Sequence, residues 1–117
     1  MAKAALLLVD DDEMSSQILG FILADEGYEV DLATTGKAAL DKFSEKKHDL
    51  IFLDYILPDM KGHEVAERLK KIAPTAKIVL LSGFANEDGE GSPLYERVLL
   101  KPVPPDVIMK TITELLG

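Results

Sequence analysis

Four short runs in this chain are apolar at every position: Ala5 to Val9, Leu50 to Leu53, Ile78 to Leu81 and Val98 to Leu100. A short apolar run with no alternation reads as a strand buried on both faces, and such a strand needs helices above and below it. The stretches between the runs supply them. Met14, Ile18, Phe21 and Ile22 fall on one helical face that stops near Gly27, and Ala39, Leu40 and Phe43 form a second stripe starting near Thr35 or Gly36. Val65, Leu69 and Ile72 form a third, which must end before Pro74. Ile108, Ile112, Leu115 and Leu116 form the last, with Pro105 where a first helical turn tolerates proline. Tyr28, Val30 and Leu32 alternate with Glu29 and Asp31, the pattern of an edge strand.

The resulting order, β-α-β-α-β-α-β-loop-β-α, predicts an α/β fold with helices on both faces of a parallel sheet. The simplest arrangement is a flavodoxin-like three-layer sandwich around a five-stranded sheet of order 2-1-3-4-5. Its fourth helix is expected to be short or irregular, because Gly83 to Pro93 holds three further glycines or prolines after Gly83 and no apolar stripe. The 117 residues fit one domain, 1–117. The run ending at Val9 is too short to span a bilayer, three acids follow it, and no small-residue cleavage site marks it as a signal peptide. The absence of Cys excludes a disulfide framework and a thiolate metal site, and suits a cytoplasmic protein. A net charge of −8 repels nucleic acid phosphates and anionic membranes, so neither is an expected partner.

In sheets of this order the site lies beyond the carboxyl ends of the strands, where strands one and three meet. Strand one runs into Asp10, Asp11 and Asp12; strand three ends in Asp54, strand four in Ser82 and strand five in Lys101. Asp10, Asp11 and Asp54 are expected to converge. Carboxylates packed together repel one another, and a hard divalent cation removes that conflict; an all-oxygen ligand set favours Mg²⁺ over Zn²⁺. A carboxylate beside Mg²⁺ is able to attack a phosphoryl group, with Lys101 and Ser82 placed to meet transferred oxygens. Singly, each of these residues has a plainer role as a loop or capping group, and Asp12 reads as the cap of the first helix. The coincidence at four strand ends is what carries the functional reading.

Leu8-Val9-Asp10-Asp11, Asp54 followed by Pro58 and Gly62, Ser82-Gly83 and Lys101-Pro102 together resemble the response regulator receiver family, the CheY-like proteins, over nearly the whole chain. The resemblance implies that Asp54 is the phosphoryl acceptor, that Asp11 binds Mg²⁺ directly and Asp10 partly through water, and that the backbone carbonyl of Ile56 is a further ligand. It implies that Ser82 and Lys101 act at the acceptor, and that the donor is a histidine kinase, a phosphotransfer protein or a small acyl phosphate. A signalling domain rather than an enzyme follows, as a monomer or weak dimer with an unspecified effector. Two departures stand out: Val98 occupies the position where the family commonly has an aromatic residue, with Tyr95 out of register, and the Gly83–Pro93 segment is unusual. The apolar side chains of Ile56 and Phe84, at positions that govern access of hydrolytic water in the family, imply slow autodephosphorylation.

Two other readings compete. A haloacid dehalogenase-like phosphohydrolase would use Asp10 and Asp12, but lacks a Thr-type residue near Met14 and a suitable acidic pair after Lys101. A non-phosphorylated interaction module of the same fold would have no need of the full acceptor set. His48 and His63 have no Cys or third His to complete a zinc site.

Overall fold

The structure, a computed structural model, describes residues 3–83 and 92–117. Three strands carry the uninterrupted apolar runs into the interior: β1 (Ala5–Val9), β3 (Leu50–Asp54) and β4 (Ile78–Ser82). The strands β2 (Glu29–Ala33) and β5 (Arg97–Leu100) lie at the two edges. All pairings are parallel and the order is β2-β1-β3-β4-β5, as the sequence predicts.

Because side chains alternate across a strand, each inner strand feeds two cores. Leu7, Val9, Ile51, Leu53, Ile78 and Leu80 face one side with Ala39, Phe43, Val65 and Leu69. Those four belong to α2 (Gly36–Lys46) and α3 (Gly62–Ile72). Leu6, Leu8, Leu50, Phe52, Val79 and Leu81 face the other side with Leu23, Ile108 and Ile112. These come from α1 (Glu13–Asp25) and α4 (Pro105–Leu116). Local signals set the helix starts: Asp12 accepts from Ser15 N–H, Thr35 accepts from Ala38 N–H, and Pro105 opens α4.

Two expectations are corrected. Of the stripe Met14, Ile18, Phe21 and Ile22, the first three are exposed, Phe21 to 81%, and Ile22 is half-buried, whereas Ser16, Gly20 and Leu23 are buried. The helix is apolar on more than one side, and its small residues make the close approach: a Cβ on Gly20 would stand 3.4 Å from Leu32 Cδ2 and 3.6 Å from Val30 Cγ1. The strand β5 is not buried on both faces; Leu100 is 56% exposed, because an edge strand has one neighbour only. Tyr95 is buried in the core with α2 and α3. The short or irregular fourth helix is expected within Gly83–Pro93, and residues 84–91 of that segment, Phe84 among them, lie outside the described residues.

Candidate functional site

Strand register brings the candidate residues to one end of the sheet. Val9 pairs with Leu53, so Asp10 and Asp54 follow side by side as β1 and β3 end. Asp54 pairs with Leu81, and Ser82, one residue further, pairs with Leu100 at the end of β5. The Lys101 N–H donates to the Ser82 carbonyl at 2.7 Å, extending the β4–β5 ladder by one step, and the Lys101–Pro102 bond is cis.

The side chains converge accordingly. One carboxylate oxygen from each of Asp10, Asp11 and Asp54 lies within 4.8 Å of the others, an arrangement able to hold a metal ion. The Lys101 ammonium is 3.3 Å from Asp54 Oδ2 and 3.5 Å from Asp10 Oδ2. Asp10 Oδ1 also accepts from the Asp12 N–H at 2.9 Å, which ties the acid pair to the start of α1. Asp54 and Ser82 are buried, Asp10 is half-buried and Asp11 is exposed. Ile56, two residues past Asp54, is 59% exposed and bridges to Lys61 within the loop before α3.

The electrostatics match the crowding. Burial raises the Asp54 carboxyl above its ordinary value, Lys101 opposes that rise, and Asp10 and Asp11 add to it. Burial alone would lower the Lys101 ammonium, but Asp10 and Asp54 outweigh it and hold the group above its ordinary value. One ammonium thus faces three acids, an imbalance that a small divalent cation with oxygen ligands relieves.

The loop that follows β3 is fitted to this spot by a glycine. A Cβ on Gly62 would collide with the Asp54 carbonyl oxygen and stand 2.9 Å from Tyr55 Cα. The Gly62 N–H donates to the Tyr55 carbonyl at 2.5 Å. One tether of this loop escaped the sequence reading: Asp59, whose carboxylate reaches the N-terminus of α2. An acid in the loop after β3 is its only local signal, and nothing in the pattern joins it to residues more than twenty positions earlier. Both histidines stand apart from the site. His48 is buried with Nε2 2.7 Å from Asp31 Oδ2, and His63 is exposed on α3.

Residues 6–113 match the family model of the response regulator receiver domain. This chain belongs to that family. The receiver is similar to the chemotaxis protein CheY of Thermotoga maritima, at 29% identity over 94% of this chain and 95% of the relative. It is 32% identical to the transcriptional regulatory protein ZraR of Klebsiella oxytoca, over 96% of this chain but only 26% of that longer protein. Among solved structures it is similar to the response regulator protein TrrA of Thermotoga maritima in complex with Mg²⁺-BeF. That likeness has a TM-score of 0.86 at 32% identity, covering 99% of this chain and all of the other. A receiver is a signalling domain of two-component systems, and the match does not favour the phosphohydrolase reading. No helix among the described residues is long and apolar enough to cross a membrane.

Proposed function

We propose that this receiver accepts a phosphoryl group on Asp54 in a Mg²⁺-dependent reaction and changes conformation in response. The observation that carries the reading is the meeting of Asp10, Asp11 and Asp54 with Lys101 Nζ 3.3 Å from the Asp54 carboxylate. Binding of Mg²⁺ by the TrrA relative supports it. Asp10, Asp11, Asp54 and the Ile56 carbonyl would hold the ion. When bound, Mg²⁺ would supply positive charge to a phosphoryl oxygen and offset the repulsion among the acids.

The chain's own groups do the rest. An Asp54 carboxylate oxygen attacks phosphorus, the bond from phosphorus to the donor's imidazole nitrogen or acyl oxygen breaks, and the leaving group keeps the electron pair. Lys101 neutralises a second phosphoryl oxygen, at the cost of its ion pair with Asp54. Ser82 donates its hydroxyl to a third. Loss of the Lys101–Asp54 pair at the end of β5 gives the edge strand a reason to shift. The donor would be a histidine kinase, a phosphotransfer protein or a small acyl phosphate.

Incubation with acetyl phosphate and Mg²⁺, followed by intact-mass measurement, tests the reading. One phosphoryl adduct is expected, lost on chelation of the cation and in Asp54→Asn. An adduct that persists in Asp54→Asn, or none in the native chain, overturns it.

A further inference from the structure

The loop from Tyr55 to Lys61 is closed at its base. The Tyr55 N–H donates to the Leu81 carbonyl at 3.0 Å, the Gly62 N–H returns to the Tyr55 carbonyl, and Ile56 bridges Lys61. Its tip is held by a second device. Asp59 Oδ1 accepts from the Gly36 N–H at 2.8 Å and Oδ2 from the Lys37 N–H at 3.0 Å. These are the first two residues of α2, whose N–H groups have no partner within the helix. The two hydrogen bonds, first from Gly36 and then from Lys37, hold the Asp59 carboxyl below its ordinary value.

The neighbouring side chain completes the seat. A Cβ on Gly36 would stand 2.5 Å from Met60 Cγ, 2.7 Å from Met60 Sδ and 2.9 Å from Val65 Cγ2, so Met60 occupies the space that glycine leaves. Helix α2 does not depend on Asp59 for its own cap, since Thr35 already takes the Ala38 N–H at 3.0 Å. The helix is itself anchored in the core by Ala39 and Phe43. What Asp59 adds is a fixed joint between α2 and the segment that carries Ile56.

We propose that Asp59 is a positioning residue for the cation site. Its carboxylate clasps the start of α2 and so holds the Ile56 carbonyl in place against the acids. This rests on the proposed function, in which that carbonyl is a ligand. Tilting the tip would move Ile56, because the Ile56–Lys61 bridge transmits the displacement, and Mg²⁺ tolerates little departure from its preferred geometry. Outer partners of metal ligands commonly affect affinity by about tenfold or more.

Titration calorimetry with MgCl₂ on the native chain, Asp59→Asn, Asp59→Ala and Asp11→Asn tests this, alongside denaturant unfolding in chelator. Asp59→Ala is expected to weaken Mg²⁺ binding by about tenfold. Asp59→Asn, which keeps one acceptor oxygen, should fall between it and the native chain. Saturating Mg²⁺ should restore the phosphorylation rate of Asp59→Ala. Equal weakening in Asn and Ala would mean a loss of field from one negative charge, and overturns the positioning role. So does an unchanged affinity in a merely less stable Asp59→Ala. Should Asp59→Ala fail to fold, Gly36→Ala displaces Met60 from the same seat, and native-like Mg²⁺ affinity there counts against the proposal. Native protein that binds no Mg²⁺ sinks the proposed function too. Native binding lost in Asp11→Asn but kept in both Asp59 variants sinks the positioning role alone.

Discussion

Asp54 is under strain of a simple electrostatic kind. Its carboxyl is raised chiefly by burial, with Asp10 and Asp11 adding to the effect against Lys101. A folded-state value above the unfolded one means that the native chain binds the proton more tightly. Stability from this group is therefore present at low pH and declines as pH rises from the ordinary carboxylate value through the raised one. At neutral pH the ionised Asp54 is a net cost. Asp54→Asn keeps the shape and removes the charge, while Lys101 retains Asp10 as a partner. In chelator at pH 7 the variant should be more stable than the native chain, as read by a higher urea midpoint at constant slope. The gain should shrink as pH falls through the raised value, since the native carboxyl is then itself protonated. A loss of stability at pH 7 would show that the Lys101 pair outweighs the burial cost. Asp31 runs the other way. Burial alone would raise its carboxyl, but the His48 hydrogen bond and Lys46 outweigh it and lower it. Its contribution is present above the ordinary value and disappears as pH falls through the lowered one.

Among the elements, α1 tests how far periodicity reaches. The spacing of Met14, Ile18 and Phe21 is helical, yet the buried line is Ser16, Gly20 and Leu23. Hydrophobicity alone ranks Phe21 above Gly20. The sheet instead takes the face whose small residues let the helix approach Val30 and Leu32. Leu23→Ala is accordingly expected to cost about 2–5 kcal/mol, whereas Phe21→Ser should stay within about 0.5 kcal/mol of native; chemical denaturation of both variants checks the assignment. A reversed order would restore the stripe as the packing face. The strands were legible for the opposite reason. β1, β3 and β4 are apolar on both sides, and only an interior position satisfies that pattern. β5 looked the same over three residues, too few for the pattern to tell an edge from the middle. The candidate site was legible because its acids, Ser82 and Lys101 all stand at or just past strand ends, so topology alone brings Asp10, Asp11, Asp54 and Lys101 together. Asp59 was not, because its partners are backbone N–H groups of Gly36 and Lys37, which leave no mark in a sequence.

At the scale of the whole molecule, a net charge of −8 makes any cation stabilising to some degree, since salt screens self-repulsion. A diffuse effect of this sort depends on ionic strength and treats Na⁺ and Mg²⁺ alike once that is matched. A bound cation behaves differently. Asp54 lies more than forty positions from the adjacent Asp10 and Asp11, so the unfolded state has no comparable site, and binding adds directly to folding stability. At a free Mg²⁺ concentration about one hundred times its dissociation constant the gain is about 2.7 kcal/mol, a rise in Tm on the order of 10 °C for a domain of this size. Thermal unfolding in MgCl₂ should exceed that in NaCl of equal ionic strength by this margin. Asp11→Asn should lose most of the excess while keeping the response to NaCl. The excess should also fade as pH drops and the Asp54 carboxylate takes up a proton, because the cation then competes for it. Equal stabilisation by the two salts would leave the acid cluster as surface charge, and would remove the cation that the proposed chemistry of Asp54 requires.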